Sequence, residues 1–186
     1  MHGIVSILDE DHYRMVEDIW AGLDEALGLR GVYTTPYPHF SYHVAEHYDI
    51  GALELLLREF AAITAPFDVL TTGLGIFTEG INPVVYVSVA RSPQLSAINA
   101  SLWPLMADAS AGIVDYYNPQ HWVPHITLGH GDVTRENLAQ VIQVLSRWDY
   151  TWRIPIDNVA LLFNPGDARH DILQYRFPLT GVPAPA

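Results

Sequence analysis

Apolar and polar positions change their period along this chain, and each change marks a structural element. Residues 3–8 alternate Ile4, Ser6 and Leu8 against Val5, which predicts a short strand. Asp9, Glu10 and Asp11 then supply carboxylates suited to a helix N-terminus. Met15, Val16, Ile19, Leu23 and Leu27 form a helical stripe that Gly28 and Gly31 bring to an end. Alternation resumes in a strand running from His39 to about Ala45. Asp49 caps a second helix with an apolar face of Leu53, Leu56, Leu57 and Phe60, closed by Pro66. Residues 67–77 read as a strand with a weak point at Gly73 and Gly75, where a bulge or close backbone approach is expected. A turn at residues 79–83 joins it to a β-forming run over 84–90.

The second half repeats this order. Ser92-Pro93 opens a helix bearing Leu95, Ile98, Leu102, Leu105 and Met106, with Pro104 marking a kink or an early end. Residues 109–120 read as a loop leading to a strand that begins at His125. Asp132 or Thr134 caps a fourth helix with Leu138, Val141, Ile142 and Leu145. Residues 151–163 predict a strand, 164–167 a turn, 171–179 a last strand and 180–186 a loose tail. Shifted by 86 positions, Pro38 meets Pro124, His39 meets His125, Ser41 meets Thr127 and Phe77 meets Phe163 without a gap. This is the mark of an internal duplication: one bilobal domain over residues 1–186, with a first repeat at about 3–83 and a second at about 84–179.

The aligned pieces are Pro38-His39-Phe40-Ser41 and Pro124-His125-Ile126-Thr127. On a strand, a histidine and a hydroxyl two residues apart share one face, while Phe40 or Ile126 points into a core. In a chain of this composition about one His-x-Ser/Thr match arises by chance, and requiring a preceding Pro lowers that to roughly 0.06. Two such matches at equivalent points of a repeat therefore carry the signal.

Composition narrows the ligand. The chain has 186 residues with a formal charge of −12 and no cysteine, so disulfides, thiolate metal sites and cysteine nucleophiles are excluded. All nine basic residues are Arg. A long nucleic acid would meet net repulsion, whereas a small anion held in one local site would not. The start of the chain lacks the pattern of a signal peptide, and no run approaches the ~18 apolar residues of a membrane span. A cytoplasmic protein is expected.

With these motifs the sequence resembles the 2H phosphoesterase superfamily, which includes the 2′-5′ RNA ligase-like proteins and RNA 2′,3′-cyclic phosphodiesterases. The resemblance rests on His39-Phe40-Ser41, on His125-Ile126-Thr127 and on the repeat from about residue 3 to 179. It implies an α+β fold of two pseudosymmetric lobes, each a mostly antiparallel sheet with helices on its outer face, turned toward a shared cleft. It also implies metal-independent chemistry on a phosphodiester, often a 2′,3′-cyclic phosphate. Ser41 stands where Thr is also common, and either hydroxyl can donate.

The chemistry stands on the residues as well. Two histidines with ordinary pKa near ~6.5 can hold opposite protonation states, one deprotonating water and the other protonating the departing ribose oxygen. Ser41 and Thr127 can donate to the phosphoryl oxygens. The candidate catalytic residues are thus His39, Ser41, His125 and Thr127. Substrate contacts are expected at Tyr37 and His43, both read as sharing the His39 face, and at Arg169 in the last turn. No cofactor and no metal site is expected. His39 and His43 are ~13 Å apart along an extended strand, beyond common ligation. The expected substrate is a small nucleotide or short oligonucleotide with a cyclic phosphate or 2′-5′ linkage. The alternative is a protein that binds a nucleotide or phosphometabolite in the same cleft without turnover. Ligase activity finds no nucleotidyl-transfer lysine in a chain that holds no Lys.

Overall fold

The computed structural model describes residues 2–164 and 170–182. The predicted turn at 164–167 lies largely outside them, as do Arg169 and residues 183–186 of the tail. The chain runs through β1 (His2–Ile7), α1 (Glu10–Leu27), β2 (His39–Tyr48), α2 (Ile50–Ile63), β3 (Phe67–Phe77) and β4 (Val84–Val89). It continues through α3 (Pro93–Ala107), β5 (Ser110–Ile113), β6 (His125–Gly129), α4 (Leu138–Leu145), β7 (Arg153–Ile156), β8 (Asn158–Phe163) and β9 (Ile172–Pro178).

Local chemistry accounts for most of these bounds. Gly28 ends α1 at φ 69°, a conformation that glycine adopts without strain. The Asp49 carboxylate accepts from the Ala52 amide at 3.1 Å at the start of α2. The Ser92 hydroxyl accepts from the Leu95 amide at 3.1 Å before Pro93. Pro104 falls in the last turn of α3 without shortening it. Of the two residues expected to cap α4, the Asp132 carboxylate accepts instead from the Arg30 and Gly31 amides at 2.5 and 2.8 Å, and the Thr134 hydroxyl accepts from the Asn137 amide at 3.3 Å in the turn that leads into the helix.

The strands form two antiparallel sheets, ordered β5-β2-β1-β8-β9 and β6-β4-β3-β7. Two differences from the sequence reading matter. The expected loop at 109–120 contains β5, which extends the first sheet beside β2. The expected single strand at 151–163 is divided at Asp157, and its two parts join different sheets. Sheets and chain halves are therefore different divisions of the molecule. Helices α2 and α3 cover the first sheet, and α1 and α4 lie on the side of the second, so each layer draws on both halves.

The strand register has a pseudo-twofold symmetry. Phe67 lies opposite Ile156 and Leu70 opposite Arg153, so β3 pairs with its own equivalent, β7, in a self-complementary way. The motif strands match as closely. Val5 lies opposite Ser41 and Ile4 opposite His43, with Tyr42 inserted as a bulge. Tyr86 lies opposite Thr127 and Val85 opposite Gly129, with Leu128 inserted at the equivalent point. Phe40, Tyr42, Ile126 and Leu128 are buried on the helix side of their sheets, and burial of each such side chain contributes about 1.5–3 kcal/mol. The opposite face of the first sheet carries a small separate cluster of Val5, Ile7, Ala160 and Leu162.

Candidate functional site

That small cluster forms the floor of a cleft, because Ile7 and Val5 lie opposite His39 and Ser41 and their side chains share one face. His39 and Ser41 line a cavity of about 160 Å³ above it, together with Tyr117 and Asp171. On its other side, His39 lines a second cavity of about 130 Å³ with Thr127, His130 and Trp20. His39 thus stands at the junction of the two lobes, with one motif hydroxyl on each side.

The two motif histidines are held in the same way. The His39 Nδ1–H donates to the Tyr37 carbonyl at 2.5 Å, and the His125 Nδ1–H donates to the Val123 carbonyl at 2.8 Å. A carbonyl only accepts, so in its neutral form each ring is fixed in the tautomer that leaves Nε2 without a proton. The hydroxyl-bearing neighbours are tied by a matching pair of bonds. The Trp122 indole donates to the Ser41 carbonyl at 3.0 Å, and the Trp20 indole donates to the Thr127 carbonyl at 3.1 Å.

Their surroundings differ. His125 is ringed by Phe77, Tyr86, Tyr116 and Tyr117, with ring centroids 4.9 to 6.5 Å away. Removal from water pushes its pKa down to about 4, and the nearby His39 adds to the shift. The pKa of His39 is also lowered, chiefly by burial and further by His130. The Tyr37 carbonyl and the Asp171 carboxylate oppose that shift. Tyr117 links the two surroundings: it lines the first cavity beside Ser41 while its ring stacks against His125. Gly75 makes room for Tyr86, because a Cβ there would run into the Tyr86 ring that stacks on Phe77 at 4.0 Å.

The structure places His39, Ser41 and Thr127 on two adjoining cavities, and His125 packs against Tyr117, which lines the first of them. Tyr37 contributes its carbonyl to His39 and packs its ring against the cleft floor. Arg169 lies outside the described residues. His43 is a correction. The bulge at Tyr42 moves every later residue of β2 to the opposite face, so Val44 rather than His43 lines the cavity. His43 is fully buried, 4.7 Å from the Trp103 ring of α3 and bonded through Nδ1 to the Tyr48 hydroxyl at 2.6 Å. Burial pushes its pKa down to about 4.

Several cleft residues escaped the sequence reading. His130 lies just past the end of β6, where strand alternation no longer assigns a face. Tyr116 and Tyr117 belong to a 3₁₀ turn (Asp115–Tyr117) that has no periodicity, although an aromatic pair beside a motif strand was the available signal. Asp171 read as the start of the last strand, yet it bonds to the Thr34–Thr35 turn on the far side of the cleft. Among the described residues, no three His, Asp or Glu side chains converge as a metal site would require.

A sequence model of the family described as the 2′-5′ RNA ligase superfamily matches residues 9–168. No curated protein matches the chain. The fold is similar to the crystal structure of TT0787 of Thermus thermophilus, with a TM-score of 0.61 at 14% identity, over 97% of this chain and 98% of that one.

Proposed function

The chain belongs to the 2′-5′ RNA ligase superfamily, and from that premise we propose that it is a metal-independent 2H phosphoesterase that opens a 2′,3′-cyclic phosphate or cleaves a 2′-5′ phosphodiester in a small nucleotide or short oligonucleotide. The observation that carries this reading is the paired setting of His39 and His125. Each is tethered through Nδ1 to the carbonyl two residues before it, and each stands beside a motif hydroxyl.

In this reading Nε2 of His125 takes a proton from water as the water oxygen attacks phosphorus. The bond from phosphorus to one ribose oxygen breaks, and Nε2–H of protonated His39 delivers a proton to that oxygen. A ring-opened phosphomonoester results, and solvent restores both protonation states. The Ser41 and Thr127 hydroxyls donate to the phosphoryl oxygens as charge builds on them. The assignment of base to His125 rests on its surroundings of four aromatic rings, which keep it neutral. His39 has Asp171 nearby to favour its protonated form, and the anionic substrate itself adds to that effect.

A diester with a p-nitrophenolate leaving group tests the division, since that group departs without a proton. His39→Ala should recover much of its lost rate on such a substrate while His125→Ala stays slow. The reverse result exchanges the roles. Saturable binding of cyclic nucleotides with no product from any of them points instead to the binding protein.

A further inference from the structure

The pseudo-twofold symmetry relates the two motifs but not the charges around them. Among the described residues, one carboxylate lines the cavity that His39 and Ser41 share, and it belongs to Asp171. Its position is built rather than incidental. The Asp171 amide donates to the Thr34 carbonyl at 2.9 Å, and the Thr35 hydroxyl donates to Asp171 Oδ2 at 2.5 Å. These bonds hold the segment before β9 against the turn before β2, across the mouth of the cleft. Oδ1 has no hydrogen-bond partner among the described residues and remains available to a ligand. No Arg lines the cavity among the described residues; the lining groups that could carry positive charge are His2 and His39, and the Asp171 charge also reaches His130. Burial lowers the pKa of all three, so each favours the neutral form at pH 7 in the free protein.

The cavity holds about 160 Å³. That equals roughly five water molecules at about 30 Å³ each, which is room for one sugar-sized group. We infer that Asp171 acts as a charge filter in this cleft, admitting phosphodiesters whose nucleoside end offers uncharged hydroxyl donors and rejecting those that carry a second phosphate there. A carboxylate accepts hydrogen bonds and donates none, so a free 5′-hydroxyl suits Oδ1 and a 5′-phosphate does not. The repulsion is appreciable. Two unit charges about 7 Å apart, at an effective dielectric between about 20 and 80, change a binding constant by roughly threefold to fiftyfold. The inference rests on the phosphoesterase reading for the placement of the scissile phosphate between the two histidines, and it adds what the rest of the substrate must be.

The test compares adenosine 2′,3′-cyclic phosphate with its 5′-phosphorylated form on four proteins: wild type, Asp171→Asn, Asp171→Ser and Asp18→Asn. Asp18 is exposed on α1, so its substitution controls for overall charge. Both kcat/KM and Kd are measured. Wild type should favour the 5′-hydroxyl compound by at least about threefold. Asp171→Asn should bring that ratio close to one, and Asp18→Asn should keep it. Equal handling of the two compounds by wild type overturns the inference, as does a preference that survives in both Asp171 variants. A Kd ratio that behaves as expected without turnover contradicts the phosphoesterase reading alone. Failure to bind either nucleotide contradicts both.

Discussion

The indole nitrogen of Trp122 donates to the carbonyl oxygen of Ser41 at 3.0 Å, and so joins the loop that precedes one motif strand to the backbone of the other. Trp20 makes the same bond to Thr127 at 3.1 Å. Trp122→Phe keeps most of the ring packing but leaves a buried carbonyl without its donor. Such a loss costs about 1–3 kcal/mol and frees Ser41 to shift. Turnover should fall by about tenfold or more, in excess of any change in substrate affinity, because small displacements of groups that act in the transition state are costly. Thermal unfolding and steady-state kinetics on the same sample check both parts. An unaltered kcat contradicts the positioning role.

The histidine environments set the pH-rate curve. In the free protein His125 becomes protonated only near pH 4, and the His39 pKa lies below the usual 6.5. The base is therefore lost as pH falls through about 4, and the acid is lost as pH rises through the lowered pKa of His39. The curve of kcat/KM should be a bell centred below pH 6.5. An anionic substrate raises both histidine pKa values, so the kcat curve should lie at higher pH. A kcat/KM optimum above pH 7.5 contradicts the assignment.

His43 links pH to stability. Its folded pKa is pushed down to about 4, below the unfolded value, so the unfolded chain binds the extra proton first. Stability contributed by neutral His43 is full above pH 6.5 and is lost progressively as pH falls from there to about 4. The loss is on the order of 3 kcal/mol. His43→Phe leaves the Tyr48 hydroxyl without its partner and lowers stability at pH 7. It should also flatten the dependence between pH 6.5 and 4, as denaturant unfolding at several pH values would show. An unchanged slope contradicts the burial argument.

Gly75 faces the Tyr86 ring so closely that any side chain must displace it. Gly75→Ala should therefore disturb the Phe77–Tyr86 stack beside His125 and raise KM several-fold or more, with the fold retained by circular dichroism. A wild-type KM indicates that this aromatic wall takes no part in binding.

The spacing of His39 with Ser41 and of His125 with Thr127 made the two matching motif strands legible, because strand period and repeat offset are both local properties of sequence. The same rule misplaced His43. A single inserted residue at Tyr42 inverts the alternation, and nothing in the order of amino acids announces it. The exchange of strands between sheets was hidden for a related reason: Asp157 alone separates β7 from β8, too short a break to interrupt a β-forming run. Asp171 and His130 reach the cleft through tertiary docking, a long-range relation without periodicity.

The most direct test follows 2′,3′-cyclic mononucleotides by phosphorus-31 NMR with wild type, His39→Ala and His125→Ala. Wild type should convert the cyclic signal to a phosphomonoester, and each variant should do so about 10²-fold more slowly or worse. Turnover at wild-type rate by both variants contradicts the two-histidine account.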